Sequence, residues 1–392
     1  MKNYDVIIVG GGPAGSTAGY LLSKSGLRVL IIDKSTFPRN KLCAGLITYK
    51  TVKLMERVFG ETVESLKEKD LINYESDYYE VYYGDKLIAH RNVAVPFRFI
   101  ERESYDHFLL KKARDAGTDL IEGEGIGLRS LDILKSSVTT LSGKTYSADI
   151  IIGADGANSR IRRSFFVDLF GREDWSENLA AAHEIFLSRD SVRKKFEHPV
   201  IFFDCVDCGY AWIFPNRERL KIGIVALKKK NKEDVLTTFR TFLSGLDLHL
   251  GEEKIHSYVL PYGCFLPSPA FRNVMLIGDA AGFADPLLGE GIFYAQRSAE
   301  LASEAILEVM RCRKGSENCG NTAAHVYLKL LQKHILTELE YAGKIRHVIF
   351  TCLNKFRYLP LKLLMSLMGD KPVEMVHGIR SYKWMKRKKE LA

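Results

Sequence analysis

The chain has 392 residues, 46% hydrophobic and 27% charged, with a formal net charge of +9. That balance supports a full core and two or three domains, and it excludes a disordered chain. No apolar run reaches the length of a membrane span, and the first expected strand begins at Tyr4, leaving no room for a secretory leader. A cytoplasmic protein is expected, with contact to the inner face of a membrane as the further option. Five basic residues and one acid fall in the last ten, Lys383 to Ala392, a tail suited to anionic lipid. No basic patch is interleaved with aromatics, so no nucleic-acid partner is expected. The seven cysteines are an odd number and read as reduced thiols. Cys205 and Cys208 make a C-x-x-C without a second pair or a histidine cluster, and ordinary thiols are expected there rather than a metal site.

Val6 to Val9 read as a buried strand. Gly10, Gly12 and Gly15 follow in G-x-G-x-x-G spacing, then a helix from Ser16 to Ser25 and a second strand from Leu27 to Ile32. Gly10 suits the tight turn, Gly12 the close approach of a pyrophosphate, and Gly15 the packing of helix on strand. Asp33, 18 residues after Gly15, suits the hydroxyls of an adenosine ribose. An acid there favours FAD or NAD over NADP. Thr48 to Leu66 read as helical with a break at Gly60. Tyr78 to Tyr83 and Leu87 to His90 read as a hairpin. A helix is expected over Arg102 to Ala116, then strands at Leu120 to Glu122, Leu128 to Leu134, Ser137 to Leu141 and Ile150 to Ile152.

A second glycine/aspartate turn follows at Gly153 to Gly156. From Trp175 to Phe265 strands predominate, a mostly antiparallel sheet with few candidates for acid–base chemistry. Tyr210, Trp212 and Phe214 alternate with Ala211 and Ile213, so the three aromatics share one face. They line an apolar tunnel or belong to the sheet core. Val274 to Ile277 is a buried strand leading to a third glycine/aspartate turn, Gly278 to Gly282. A helix over Phe293 to Met310 follows, and the chain is helical from Ala323 onward with one break at Pro360.

Three strand-to-turn motifs in this order resemble the FAD-dependent oxidoreductases of the para-hydroxybenzoate hydroxylase fold. Within that fold the chain is similar to the geranylgeranyl reductases. Phe37-Pro38-Arg39-x-Lys41-x-Cys43-x-Gly45 resembles their F-P-R-x-K-x-C-G-G segment. Tyr210-x-Trp212-x-Phe214-Pro215 followed by Gly223 resembles their Y-x-W-x-F-P…G-x-G, and Pro286 to Ile292 resembles P-L-T-G-E-G-I. Ala44, Val225 and Leu288 depart from those patterns; Val225 and Leu288 bear on the substrate.

The resemblance implies an α/β fold: a Rossmann-like FAD-binding domain (1–75, 100–175 and 265–315), an antiparallel β-sheet substrate domain (76–99 and 176–264) and a C-terminal helical region (316–392). It implies FAD contacts at Gly10, Gly12, Ala14, Gly15, Asp33, Ala44, Gly45, Arg102, Ile126, Asp155, Asp279, Gly291 and Ile292. Arg102 is otherwise a surface helix charge. Cys43 is a thiol assisting catalysis beside the flavin or a small packing residue. Tyr210, Trp212 and Phe214 would hold substrate. The implied reaction is flavin hydride transfer to an isoprenoid C=C bond of a prenylated lipid, quinone or pigment, with NAD(P)H or reduced ferredoxin as electron donor. A monooxygenase or halogenase of the same fold and an electron-transfer flavoprotein dehydrogenase are the alternatives. Val348 to Met368 is strongly apolar and suits either a cap on the catalytic body or a membrane-interface anchor.

Overall fold

The computed structural model describes residues 3–164, 175–176, 179–192, 194–246, 253–263, 265–314 and 322–385. The chain begins β1 (Asn3–Val9), α1 (Pro13–Lys24), β2 (Val29–Ile32), β3 (Leu46–Ile47), α2 (Tyr49–Phe59) and α3 (Val63–Glu68). A long hairpin, β4 (Ile72–Tyr83) and β5 (Lys86–Ile100), leads to α4 (Arg102–Asp115), β6 (Asp119–Ile121), β7 (Ile126–Asp132), β8 (Ser137–Thr140) and β9 (Thr145–Gly153). Next come β10 (Ala180–Ser188), β11 (Val200–Phe203), β12 (Gly209–Pro215), β13 (Arg219–Leu227), α5 (Val235–Gly245), β14 (His256–Leu260), β15 (Ala270–Phe271) and β16 (Val274–Leu276). Helices α6 (Ile292–Lys314), α7 (Ala323–Leu331), α8 (Thr337–Phe356), α9 (Leu359–Met368) and α10 (Lys371–Val376) complete it.

The fold is α/β: a Rossmann-like nucleotide-binding region, a mixed, largely antiparallel second sheet, and a C-terminal helical bundle. In the first sheet the order is β15-β16-β9-β1-β2-β6, with β8 and β7 added beyond β9. Strands β16, β9, β1, β2 and β6 run parallel. Their β-branched side chains are buried, as strands covered on both faces require. In such sheets ligands bind beyond the carboxyl ends of the strands. The loops after β1, β2, β9 and β16, which carry Gly10, Asp33, Asp155 and Asp279, all leave from that edge.

The second sheet has the order β14-β10-β13-β12-β11-β4-β5-β3 and is antiparallel except between β4 and β11. Period-2 alternation divides its faces. Ala211, Ile213, Ile222 and Ile224 pack on one side with Phe239 of α5. Tyr210, Trp212, Phe214 and Val225 pack on the other, against Phe350, Leu353, Leu361 and Val373 of the C-terminal helices.

Two expectations shift. Helix α1 begins at Pro13, not Ser16, because proline at a first-turn position gives up no intrahelical hydrogen bond. The break expected at Pro360 falls earlier, at Arg357 with φ +56°, and Pro360 sits in the first turn of α9. Helix α9 begins at Leu359, one residue before the proline.

Candidate active site: a cavity joining the two sheets

A continuous cavity of about 1320 Å³ runs from the glycine loops of the first sheet, beneath the second sheet, to α9 and α10. Its first end is shaped by missing side chains. Gly10 has φ +107°, and a Cβ there would lie 2.3 Å from the Ala154 carbonyl oxygen, so only glycine lets the loop after β1 abut the loop after β9. A Cβ on Gly15 would lie 1.8 Å from the Gly10 oxygen. Gly15 closes α1 onto its loop and is the one expected cofactor residue that does not line the cavity. At Gly12 the nearest atom would be Arg39 Nη2, at 3.3 Å; this position opens toward the cavity and its backbone is free to approach a ligand.

Asp33 stands where β2 ends. Its Oδ2 accepts the Gly11 N–H at 2.6 Å and its Oδ1 accepts the Ser35 N–H at 2.8 Å. Each carboxylate oxygen retains a second lone pair for a ligand hydroxyl. Asp279 follows β16; its Oδ2 lies 3.5 Å from Lys41 Nζ, and a Cβ on Gly291 would meet its Oδ1 at 3.4 Å. Gly291 and Ile292 begin α6, so a second helix N-terminus, with its unpaired N–H groups, faces the same space. Ala14, Ala44, Gly45 and Ile126 also line the cavity.

Asp155 also lines the cavity. Its Oδ2 accepts the Arg160 N–H at 2.5 Å and the Ile161 N–H at 3.3 Å. Its Oδ1 has no hydrogen-bond partner among the described residues. Burial raises its pKa, against the hydrogen bonds from Ser159, Arg160 and Ile161.

Arg102 is buried at 6% exposure, which excludes the alternative of a surface helix charge. It donates a fork to Asp106, Nε to Oδ1 and Nη2 to Oδ2, both at 2.7 Å. Arg39 reaches the same carboxylate at 3.2 Å. Burial alone would depress the guanidinium, but Asp106 and the adjoining Cys43 hold its pKa raised, so the cation persists. Cys43 is half-buried, lines the cavity beside Arg102, and its Sγ accepts the Gly45 N–H at 3.4 Å.

The second end is aromatic. Tyr210, Trp212 and Phe214 of β12 face the cavity together, as their alternation predicts. The Tyr210 hydroxyl donates to the Leu288 carbonyl at 2.5 Å and that of Tyr262 to Leu287 at 2.8 Å, pinning the loop before α6. Val225 pairs with Tyr210 across β12–β13 and fills the wall there; Leu288 adjoins the same place.

The few acid–base candidates of this sheet include two that the sequence did not single out. Glu184 of β10 and Lys221 of β13 are buried and line the cavity. Glu184, Gly223 and Trp212 stand in one row across three strands. A Cβ on Gly223 would lie 2.3 Å from the Trp212 ring. The missing side chain lets the indole cross the middle strand, and its Nε1–H donates to Glu184 Oε1 at 3.4 Å. Lys221 Nζ donates to the Ile100 carbonyl and pairs with Glu101, each at 3.0 Å. Burial pushes the Glu184 carboxyl up to about 7, with Lys221, the Trp212 N–H and the Cys43 backbone acting the other way. A charged residue within a run of otherwise buried apolar residues was the available signal for both. Away from the cavity wall, Cys205 and Cys208 are free thiols; burial, aided by Asp204, pushes Cys205 up to about 12, so it remains protonated.

The far wall comes from α9 and α10. Leu361, Leu364, Met365 and Met368 face inward, while Leu359, Leu363 and Leu367 of the same helix are exposed. No described helix is long and apolar enough to cross a membrane.

Glycine and aspartate loops on one edge of a parallel sheet, opening beneath a second sheet, define a flavoprotein oxidoreductase of the para-hydroxybenzoate hydroxylase type. The model of the FAD binding domain family matches residues 3–201. The geranylgeranyl diphosphate reductase of Rhodobacter capsulatus is 27% identical, over 80% of this chain and 78% of its own. The digeranylgeranylglycerophospholipid reductase of Methanococcus aeolicus is 25% identical, over 98% of this chain and 95% of its own. A geranylgeranyl bacteriochlorophyll reductase-like protein of Thermoplasma acidophilum shares the fold, with a TM-score of 0.71 and 20% identity over 89% of this chain and 88% of that one. The chain belongs to the FAD binding domain family and, within it, to the geranylgeranyl reductase-like FAD-dependent oxidoreductases.

Proposed function

We propose that the protein saturates C=C bonds in a long isoprenoid chain of a prenylated lipid, quinone or pigment. The observation that carries this reading is the single cavity, polar and glycine-lined at one end and lined by aromatic and aliphatic side chains at the other. The residues present fit FAD. Gly10, Gly12 and the start of α1 would hold the pyrophosphate, Asp33 the adenosine ribose, Ile126 the adenine and Asp279 the ribityl chain. Ala44, Gly45, Gly291 and Ile292 would border the ring. Asp155 shapes the loop beside them, and Arg102 keeps a cation near the phosphates. Gly15 acts through packing.

On this reading residues 1–75, 100–175 and 265–315 carry the cofactor, 76–99 and 176–264 the substrate, and 316–392 the cap. Bound FAD supplies hydride chemistry; the electrons come from NAD(P)H or reduced ferredoxin. Tyr210, Trp212 and Phe214 hold the chain and keep water out, and Cys43 stands at the junction of the two ends.

Helix α9 belongs to this reading. One side forms the cavity wall, and Leu359, Leu363 and Leu367, at i, i+4 and i+8, form an exposed apolar stripe. Exposed Lys355, Arg357 and Lys362 flank it. An apolar stripe with basic neighbours suits the surface of an anionic bilayer, from which a prenyl chain has a short path inward. The basic tail from residue 386 lies outside the described residues.

Mass spectrometry of lipids extracted from cells with and without the expressed protein tests the proposal. Products should gain two hydrogens per saturated bond and no oxygen. An unchanged isoprenoid pool, or products carrying added oxygen, would refute it.

A further inference from the structure

An isolated alkene has no carbonyl to draw electrons from it, so hydride adds only when a proton reaches the other carbon. The cavity therefore needs an acid at its aromatic end. Most polar groups along its wall are already committed. Glu101 is paired with Lys221 and Asp279 with Lys41. Glu290 is paired with Lys50 at 2.5 Å and accepts from Thr48. The Tyr210 hydroxyl is given to the Leu288 carbonyl. Asp155 has an unpartnered oxygen, but it caps the turn after β9 at the nucleotide end.

Glu184 differs from all of these. It is fully buried, stands on the cavity wall in the row with Trp212, and its Oε2 has no hydrogen-bond partner among the described residues. A buried carboxyl oxygen without a partner is costly to keep charged. Protonated, it offers an O–H to whatever occupies the cavity.

We infer that Glu184 is the acid that protonates the reacting double bond, an assignment that rests on the reductase reading above. The O–H bond of Glu184 breaks and its proton bonds to the less substituted alkene carbon through the π electron pair. The more substituted carbon takes a hydride, with its electron pair, from the reduced flavin. The alkene gains two electrons and two hydrogens and the flavin is oxidised. Glu184 is left as a carboxylate and is reprotonated from water before the next turnover. Trp212 is a positioning residue in this step: its indole crosses Gly223 and holds Oε1, while Oε2 keeps no partner among the described residues. Lys221, on β13, and Glu101, at the end of β5, are the other ionisable groups acting on it, and the backbone N–H of Cys43, in the loop before β3, favours its ionised form as Trp212 does. Burial raises the carboxyl to about 7, so the acid form persists near neutrality.

The test is Glu184→Gln, an almost isosteric change. Purified holoenzyme should keep its FAD and accept electrons from dithionite at the wild-type rate. Anaerobic reoxidation of its flavin by a geranylgeranyl lipid should slow roughly 100-fold or more. The wild-type rate should fall as pH rises through about 7, and the variant should lack that limb. Trp212→Phe removes a donor that favours the ionised form, so its limb should move to higher pH. Glu184→Asp should restore the limb and part of the rate. Independently of turnover, the infrared carbonyl band of a protonated carboxyl should disappear from wild type as pH is raised and be missing from Glu184→Gln.

A Glu184→Gln rate within about threefold of wild type with the same limb, or no titrating band assignable to Glu184, overturns the assignment and leaves the reductase reading standing. Wild-type enzyme that leaves every isoprenoid unchanged brings down both.

Discussion

The protonated state of Glu184 has a measurable consequence for folding. In the unfolded chain a glutamate ionises near 4.5; in the native cavity burial raises this one to about 7. Between those values the unfolded chain has released a proton that the native protein still holds, so native stability falls as pH rises across the window and then levels off above it. At about 1.36 kcal/mol for each pH unit between the two values, the loss is on the order of 3 kcal/mol. Glutamine cannot ionise, so Glu184→Gln should match wild type at pH 4 to 5 and exceed it by up to about 3 kcal/mol at pH 8. Denaturant unfolding of both proteins at a series of pH values, with FAD in fixed excess, measures this. Other groups titrate equally in both and cancel in the difference. Parallel stability curves would show that Glu184 is not held protonated and would refute the reasoning.

Four further outcomes follow. Asp279→Ala removes the carboxylate that faces Lys41 and Gly291 and should lose most of the flavin, read from the absorbance of the purified protein. Gly223→Ala places a Cβ 2.3 Å from the Trp212 ring and should destabilise the protein by about 1–3 kcal/mol, with the alkaline limb moved upward as Glu184 loses its indole donor. Cys43→Ala should retain FAD and slow alkene reduction; unchanged turnover would make Cys43 a packing residue. Leu363→Glu with Leu367→Glu should abolish salt-sensitive sedimentation with anionic liposomes while leaving FAD content unchanged.

The nucleotide half was legible because its chemistry requires residues that few other contexts demand. Gly10 must adopt a positive φ against Ala154, and aspartates must end strands whose apolar runs are plain to see. The aromatic alternation of Tyr210, Trp212 and Phe214 correctly indicated one shared face. Glu184 and Lys221 were missed because a charge in a buried strand does not declare which face it takes. Their meaning arises from the β10–β13–β12 register, a non-local pairing that aligns Glu184, Gly223 and Trp212. Arg102 was open to misreading for the same reason: its burial depends on Asp106 and on packing of α4 against α1. The Pro360 break was misplaced because proline is tolerated in a first helical turn, and the turn itself was made by Arg357.

The central claim is that reducing equivalents held by the flavin end on carbon. Prereduced enzyme mixed with a geranylgeranyl lipid under strict anaerobiosis gives the most direct measurement, with flavin absorbance and product mass followed together. The account predicts that flavin reoxidises as the lipid gains two hydrogens per flavin oxidised. A flavin that stays reduced until oxygen is admitted, and a product that then gains oxygen, would contradict it.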